Sequence, residues 1–399
     1  MHVDYVIIGA GIGGLSIARE LKAQFPAASI AVIEKETTIG LHASGRNSGV
    51  LHAGIYYKPE SLKAICCLEG SRAMAAYCDE HQLPISRVGK IIVTTKPDEA
   101  PVLETLQQRA IQNGARVRLI SRTELKELEP EAYSATDYAL FSPETSVVDP
   151  KAILAHLYQS LIDQHVIFYF NQKNTTIDTN KKKLTLTTDL VSYGHLFNTA
   201  GLYADDIAKR CGLQEQYTMI PFKGMYYEMA PQTNIKINHL IYPVPDMHVP
   251  FLGVHFTKGI DGKIYLGPTA IPVLGREHYT GFTGINLKEA MSTFTSLAPL
   301  YISNKQGFRT YAHQEIPRFL KSRFVASARA LVPSITSQDL VSSTKVGIRA
   351  QLFDLEKKEL AMDFIIRSTK NETHVLNAVS PAFSSAFSFC RRVIYSKGQ

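Results

Sequence analysis

The sequence predicts a mixed α/β protein, in which a domain with a parallel sheet is joined to a second domain with an antiparallel sheet. The amino-terminal residues have the pattern of strand, glycine turn, helix and second strand that is typical of a parallel sheet with covering helices. Residues from about Tyr217 to Ala350 instead contain short alternating runs and many aromatic side chains, a pattern that favours antiparallel strands covering a pocket.

The glycine turn has the spacing of a dinucleotide-binding loop. An apolar run, Val3 to Ile8, leads into a loop that contains Gly9, Gly11, Ile12, Gly13 and Gly14. In this motif, the first glycine permits the tight turn, the second lets the backbone approach a pyrophosphate, and the third lets the helix pack close to the strand. Glu34 closes the second predicted strand, Ser29 to Ile33, where a carboxylate accepts hydrogen bonds from a ribose. These features predict a Rossmann-like, dinucleotide-binding domain.

Later segments indicate that the chain leaves this domain and returns to it. A predicted strand at Leu196 to Thr199 runs into Ala200-Gly201, and a strand at His374 to Leu376 precedes a small-residue turn and a helix. We therefore assign residues 1–80, 145–215 and 340–399 to the dinucleotide-binding domain. Residues 81–144 and 216–339 are assigned to a substrate-binding domain.

Composition limits the classes of partner. The net charge of +7 suits an acidic substrate or an anionic membrane surface. The run Lys181 to Lys183 has no aromatic interleaving, so we expect no nucleic-acid partner. The five cysteines form no CxxC pair or zinc-type spacing, and we expect no metal. Since the first strand starts at Val3 and no long apolar stretch occurs, we expect a cytoplasmic protein, with peripheral contact at the inner face of the membrane left open.

A second polar loop follows the ribose carboxylate at the distance where an FAD, which reaches further than NAD, would extend its flavin. The loop, Ser44 to Tyr57, combines hydroxyls, a guanidinium and small residues that can hydrogen-bond a pyrophosphate and let a flat ring approach the backbone. A polar surface loop is the alternative.

Six segments together resemble the L-2-hydroxyglutarate dehydrogenases/oxidases, a family of the D-amino-acid-oxidase-like FAD superfamily. They are GAGIGG, SGRNSGVLHAGIYY, FNTAGLYAD, PFLGVHFT, YLGPTAI and GIRAQ. The first and third are shared across the superfamily, whereas the second, LGVHFT and GIRAQ are more specific. The resemblance spans nearly the whole chain and implies FAD as the cofactor.

The resemblance also implies site residues. The glycines would hold the pyrophosphate, Glu34 the ribose, and Lys35 would flank the adenine. The remaining cofactor-binding residues implied are Ser44, Arg46, Asn47, Ser48, Gly49, Ala200, Gly201, Pro381, Ser384 and Ser385. The chain departs from the family at Phe383 and Phe387, where small residues are usual, and at Lys223, where arginine is usual. The lysine weakens the case for bidentate carboxylate binding.

Oxidation of a 2-hydroxy acid requires a hydride to leave C2 for flavin N5 while a base takes the hydroxyl proton. His255 is our first candidate base and His52 the second; His42, His248 and His313 are competitors, and any of them can instead be a structural histidine. The substrate carboxylates need cationic or polar partners. Arg349 is the first choice, although it can equally stabilise reduced flavin, and Lys223, Tyr57 and Thr257 are weaker partners.

We therefore expect a small dicarboxylate, L-2-hydroxyglutarate, to be oxidised to 2-oxoglutarate, with electrons passed to a quinone or dioxygen. Oxidation of another small acid, such as an amino acid or glycerol 3-phosphate, remains the alternative within this class. A non-catalytic or RNA-directed flavoprotein is the alternative from another class. An NAD-dependent dehydrogenase is disfavoured, because the later NTAG segment and the small-residue turn would then have no cofactor to serve.

Overall fold

A computed structural model describes residues 1–213 and 216–396. Twenty-one strands are described in these residues: β1 (His2–Ile8), β2 (Ile30–Ile33), β3 (Val50–Leu51), β4 (Ile85–Ser86), β5 (Lys90–Val93), β6 (Arg118–Ser121), β7 (Tyr138–Ser142), β8 (Ser146–Val148), β9 (Ile167–Tyr169), β10 (Thr176–Asp178), β11 (Lys183–Thr185), β12 (Leu190–Asn198), β13 (Tyr217–Met229), β14 (Leu240–Pro243), β15 (His255–Lys258), β16 (Ile264–Gly267), β17 (Ile271–Pro272), β18 (Leu340–Asp354), β19 (Glu359–Leu360), β20 (Ile366–Ser368) and β21 (Glu372–Val375).

Ten α-helices are described in the same residues, in addition to short 3₁₀ turns. They are α1 (Ile12–Gln24), α2 (Leu62–Glu80), α3 (Ala100–Gln112), α4 (Arg122–Leu128), α5 (Pro150–Asp163), α6 (Ala204–Arg210), α7 (Leu287–Ser303), α8 (Phe308–Glu315), α9 (Lys321–Arg329) and α10 (Ala382–Tyr395).

The chain divides into two compact units. Unit 1 comprises residues 1–47, 150–221 and 349–399, and unit 2 comprises residues 48–149 and 222–348. This division differs from the expected domains mainly for residues 48–80. These residues cluster with unit 2 because Val50, Ile55 and Leu68 share one apolar core with Ile92 and Tyr242 of that unit's sheet.

Unit 1 has the parallel sheet that the glycine motif predicts. Strand β1 lies between β12 and β2 and is parallel to both; β2 is parallel to β9, and β12 is parallel to β21. Strands β10 and β11 form an antiparallel hairpin, and β11 pairs antiparallel with β12, so the hairpin extends the sheet beyond β12. Val6, Ala31 and Leu196 are fully buried in the core of this unit. The carboxyl end of β1 therefore delivers the glycine turn to the edge where nucleotides bind in such sheets.

Unit 2 is organised around a largely antiparallel sheet, in which β13, β16, β15, β14, β5, β7 and β6 are neighbours in that order. One pair, β14 and β5, is parallel. One face of the sheet packs in a core that includes Phe256 and Leu266, and the other packs in the core of Ile92 and Tyr242. Because side chains alternate along a strand, neighbouring residues of β15 belong to different faces.

The expectation of short strands throughout residues 217–350 was incomplete, because this region also contains α7, α8 and α9. In addition, residues 248–257, one of the alternating runs, form a strand only from His255 onward. Helix α7 carries apolar side chains on its exposed side as well as its buried side, and it contains Pro299. Both properties obscure the amphipathic period from which a helix is recognised in a sequence.

Candidate functional site

The glycine turn of unit 1 is closed by the later NTAG segment. Gly9 has a φ of +105°, and a Cβ placed there would lie 2.7 Å from the carbonyl oxygen of Thr199. The Thr199 amide donates to Ile8 O (2.9 Å), and its hydroxyl donates to Ile8 O (2.9 Å) and Gly9 O (3.2 Å). A side chain at Gly14 would also contact Thr199. The two sequence motifs thus form one cradle, with Ala200 and Gly201 following directly.

Ser44 lies at the amino terminus of α1. Its hydroxyl oxygen accepts a hydrogen bond from the Ile12 amide (2.9 Å), and a Cβ on Gly11 would lie 2.8 Å from this oxygen. The first turn of a helix has unsatisfied N–H groups and a partial positive charge, both of which favour a phosphate. Ser44 and the glycine turn therefore lie together at a helix end that favours an anion.

Glu34 is 9% exposed and is oriented by the backbone around it. Its two carboxylate oxygens accept hydrogen bonds from Ala10 N (2.8 Å) and Glu36 N (3.0 Å). A carboxylate has about four lone-pair sites, so acceptor capacity remains for ribose hydroxyls. Lys35, which was expected to flank the adenine, pairs with Glu36, and its ammonium lies 2.9 Å from His42 Nε2.

Other unit 1 residues that were expected to bind the cofactor lie in two segments, the loop after Ser44 and the start of α10. Arg46 Nε donates to Leu41 O (2.8 Å), and Asn47 Nδ2 donates to Ser44 O (2.7 Å), so both brace the loop after Ser44. Pro381 precedes α10, in whose first turn Ser384 and Ser385 are buried.

The Ser385 hydroxyl is buried and has no hydrogen-bond partner among the described residues. The residues of unit 1 therefore fit a dinucleotide, because the glycine cradle excludes side chains and this buried hydroxyl lacks a partner. Phe387, one of the departures from the family, is buried with the Arg19 guanidinium 4.5 Å from its ring centre. Its role is thus packing between α10 and α1.

Unit 2 carries the first candidate base. His255 and Thr257 are two residues apart on β15, so they share a face, whereas Phe256 between them is fully buried in the opposite core. His255 is 5% exposed, and its ring stacks on Tyr242 of β14 with centres 3.9 Å apart and planes 23° apart. The sheet therefore fixes the plane of the imidazole.

The tautomer of His255 follows from one hydrogen bond. His255 Nδ1 lies 2.8 Å from the carbonyl oxygen of Gly253, which can only accept. Nδ1 therefore carries the proton, and in the neutral ring the lone pair is on Nε2. A neutral imidazole held this way is chemically suited to accept a proton at Nε2.

The loop that begins at His52 belongs to the same layer of unit 2. The His52 carbonyl oxygen accepts a hydrogen bond from the Cys67 thiol of α2 (3.2 Å). The Tyr57 carbonyl accepts one from Asn113 Nδ2 (3.0 Å), and Lys63 Nζ lies 5.9 Å from the Tyr57 ring centre. Gly49 has a φ of +74°, and its carbonyl accepts from Val148 N (2.9 Å). The loop is thus tied to α2, α3 and β8.

The remaining candidates lie elsewhere. Lys223 is half-buried on β13, opposite Ile271 of β17, and its ammonium donates to Tyr279 O (3.4 Å); burial lowers its pKa. Arg349 is half-buried on β18 and belongs to unit 1, and Ser48 begins unit 2. Of the competing histidines, His248 is exposed, and His313 is exposed and bonded to the Tyr301 hydroxyl (2.7 Å).

Three residues on the His255 side of the sheet were missed by the sequence analysis. Tyr242 stacks on His255, and the fully buried Lys90 has its ammonium 5.2 Å from the Tyr242 ring centre. Lys345 lies over the ring of Tyr265, 4.3 Å from its centre. Of these three, only Lys90 could have been noticed in the sequence. It opens an apolar strand, Lys-Ile-Ile-Val, and a lysine is rarely buried without a reason.

The glycine cradle of unit 1 is typical of a dinucleotide-binding protein, and unit 2 carries a buried, oriented histidine. The family model described as FAD dependent oxidoreductase matches residues 4–395. The solved L-α-glycerophosphate oxidase of Mycoplasma pneumoniae with FAD bound covers 99% of this chain and 94% of its own, with a TM-score of 0.77 and 21% identity, which supports the fold. The expected fold class, FAD as the cofactor and the class of enzyme are thereby confirmed.

Two similar proteins that are named for their activity identify the family within this class. An L-2-hydroxyglutarate dehydrogenase of Indibacter alkaliphilus is 36% identical over 97% of this chain and 97% of its own length. The L-2-hydroxyglutarate dehydrogenase of Escherichia coli (strain K12) is 34% identical over 96% of this chain and 90% of its own. The chain belongs to the L-2-hydroxyglutarate dehydrogenase family of FAD-dependent oxidoreductases, as its motifs indicated.

Proposed function

We propose that this protein oxidises L-2-hydroxyglutarate to 2-oxoglutarate with FAD. The observation that carries the proposal is the match, over nearly the full length of both chains, to relatives named for this activity. The oriented imidazole of His255 supports it, because removal of two hydrogens from a secondary alcohol needs a group that accepts the hydroxyl proton. FAD, when bound, supplies the acceptor for the two electrons that leave C2.

In unit 1, Gly9, Gly11 and Gly14 keep side chains away from the pyrophosphate, and Ser44, whose hydroxyl accepts from the Ile12 amide, lies at the same end of α1. Glu34 accepts from the adenosine ribose. Further contacts to FAD are assigned to the expected residues that lie in the same loops and at the start of α10: Lys35, Arg46, Asn47, Ser48, Gly49, Ala200, Gly201, Pro381, Ser384 and Ser385.

His255 Nε2 takes the substrate hydroxyl proton in this proposal, and His52 is the second candidate. Arg349 is assigned to a substrate carboxylate, where a guanidinium can form two parallel hydrogen bonds. Lys223, Tyr57 and Thr257 are assigned weaker substrate contacts. Burial lowers the pKa of Lys223, and a dianionic substrate beside the ammonium would oppose that effect by stabilising the charged form.

Anaerobic reduction of the bound flavin tests the substrate. We expect L-2-hydroxyglutarate to bleach the flavin absorbance rapidly, and its D-enantiomer, glycerol 3-phosphate and glycine to bleach it slowly. Reduction by glycerol 3-phosphate or an amino acid at a rate comparable to that with L-2-hydroxyglutarate would refute the assignment. Reoxidation of the reduced protein by air or by a short-chain quinone, measured in the same cell, identifies the electron acceptor.

Variants of the two histidines test the base. His255→Gln is expected to slow flavin reduction by about 10²-fold or more, the usual contribution of a general base, while FAD stays bound. His52→Gln is expected to have a smaller effect, and His313→Gln serves as the control at an exposed histidine. A His255→Gln variant with near-normal reduction would remove His255 from this role.

We also propose that the protein docks peripherally on an anionic membrane, from which a quinone would be supplied. No helix in the described residues is long and apolar enough to cross a bilayer. Helix α7, however, exposes an apolar stripe at helical spacing that consists of Leu287 (82% exposed), Met291 (69%), Phe294 (58%) and Ile302 (75%). Lys288 and Lys305 adjoin it and are exposed. An apolar stripe with basic neighbours is typical of helices that lie in a membrane interface.

Vesicle sedimentation tests this proposal. The protein is expected to sediment with vesicles that contain anionic lipid, less so at high salt, and a Met291→Asp/Phe294→Asp double variant is expected to stay in the supernatant. Ile111→Asp, at an exposed isoleucine of α3 (59% exposed), is the matched control. Equal sedimentation of the double variant and the wild type would rule out docking through α7.

A further inference from the structure

A buried lysine lies behind the candidate base. Lys90 on β5 is 0% exposed, and its ammonium nitrogen has no hydrogen-bond partner among the described residues. The nitrogen lies 4.6 Å from the ring centre of Tyr56 and 5.2 Å from that of Tyr242. The Tyr56 hydroxyl, also buried, likewise has no partner in this part of the chain. A buried amine without a hydrogen bond is costly, so this arrangement calls for a functional reason.

The Tyr242 ring connects Lys90 to His255. The register of β5 and β14 places Tyr242 beside Ile92, two residues from Lys90, and the His255 ring stacks on Tyr242. The ammonium lies 5.2 Å and the His255 ring centre 3.9 Å from the Tyr242 ring centre, which places the ammonium within about 9 Å of the imidazole. An aromatic ring attracts a cation to its face, so an ammonium and an imidazolium would compete for the same ring.

We propose that Lys90 is a positioning residue for His255. Acting through Tyr242, it holds the ring on which the imidazole stacks and disfavours the imidazolium, so that Nε2 keeps its lone pair for the substrate. The proposal deepens the proposed function and relies on it for its kinetic readout. Lys90 transfers no proton to the substrate. It changes only the equilibrium between imidazole and imidazolium at His255.

The charge state of Lys90 supports this proposal. Burial lowers the pKa of Lys90 to about 7, so the ammonium forms in the pH range in which histidines titrate. Other titratable groups lie on the elements around this pair. Tyr56 of the loop and Cys67 of α2 act on Lys90 directly, and Cys67 bonds to the His52 carbonyl. Tyr226 of β13 acts on Tyr242, while Tyr265 of β16 is opposite Thr257 and lies under Lys345 of β18. Burial raises the pKa of Cys67 to about 12, which keeps that thiol neutral.

The direct test is a histidine titration followed by NMR, which needs no turnover. The ring-proton signal of His255, assigned by its loss in His255→Gln, is followed with pH in the FAD-loaded wild type and in Lys90→Met. At an effective dielectric constant between 20 and 40, a charge about 9 Å away shifts a titration midpoint by about one unit. We therefore expect the midpoint to rise by about one pH unit in Lys90→Met, because the repelling ammonium is gone.

The kinetic test is the pH profile of flavin reduction by L-2-hydroxyglutarate. Its acidic limb is expected to move to higher pH by the same amount in Lys90→Met, with FAD content unchanged. Tyr242→Phe, which keeps the ring, is expected to leave both midpoints in place, whereas Tyr242→Leu removes the stacking partner and is expected to broaden the His255 signal. Should Lys90→Met fold poorly, Lys90→Gln supplies the same comparison.

The outcomes separate the two proposals. A His255 midpoint within about 0.2 units of the wild type in both Lys90 variants would overturn the role of Lys90, whatever the substrate. A shifted midpoint in a protein whose flavin is not reduced by L-2-hydroxyglutarate would retain the role of Lys90 and refute the substrate.

Discussion

Replacement of Lys90 by methionine should stabilise this protein in a pH-dependent way. The side chain is fully buried, and burial lowers its pKa from 10.5 to about 7. Below pH 7 the folded protein must hold a buried ammonium, and between pH 7 and 10.5 the unfolded chain binds a proton that the folded chain does not. In both ranges Lys90 disfavours folding, and the penalty fades only as pH approaches 10.5.

The magnitude follows from the shift. A difference of about 3.5 units corresponds to about 5 kcal/mol at pH 7 or below. Methionine has a similar length and no charge, so Lys90→Met should recover most of this free energy at pH 6.5 and only about 1.4 kcal/mol of it at pH 9.5, one unit below the unfolded pKa of 10.5.

Thermal unfolding of the apoprotein at the two pH values measures this effect. The gain in melting temperature of Lys90→Met over the wild type should be several degrees at pH 6.5 and should shrink markedly at pH 9.5. A gain that is independent of pH would mean that folding does not lower the pKa of Lys90, and a loss of stability at pH 6.5 would mean that the ammonium has a favourable partner. Either result would refute the reasoning.

Three further predictions concern the cofactor cradle and the two faces of β15. Gly9→Ala should purify without FAD, because its φ of +105° and the nearby Thr199 carbonyl exclude a Cβ, whereas Gly13→Ala, whose Cβ would have ordinary contacts, should purify yellow. Glu34→Gln should weaken FAD retention by about tenfold, measured by flavin release on dilution, since a charge-assisted hydrogen bond becomes a neutral one. Phe256→Ala should lower the free energy of unfolding by about 3–5 kcal/mol in denaturant titration, while His255→Gln lowers it much less.

The sequence predicted the features that depend on local pattern. The glycine turn, the strand that ends at Ile33 and the strand before NTAG were found where their spacing indicated, because each has an apolar run or glycines that act within a few residues. The closure of Gly9 by Thr199 joins residues 190 positions apart, so no local pattern reports it.

Long-range register explains the other omissions. Tyr242 lies beside both Lys90 and His255 only because β14 is flanked by β5 and β15 in the sheet, although β6 to β13 lie between β5 and β14 in the chain. A tyrosine within Leu-Ile-Tyr-Pro has no property in the sequence that distinguishes it from a core residue. The helical region α7 to α9 was missed for another reason, since an exposed apolar stripe looks like buried strand residues when only the sequence is available.

Strand β15 makes the proposed chemistry sensitive to insertions and deletions as well as to substitutions. Four residues, His255 to Lys258, present the imidazole and Phe256 to opposite cores. Loss or gain of a single residue just before this strand would exchange the two, placing a phenyl ring against Tyr242 and an imidazole among aliphatic side chains. Loop-length variation in engineered libraries should therefore be directed away from the segment between Phe251 and His255.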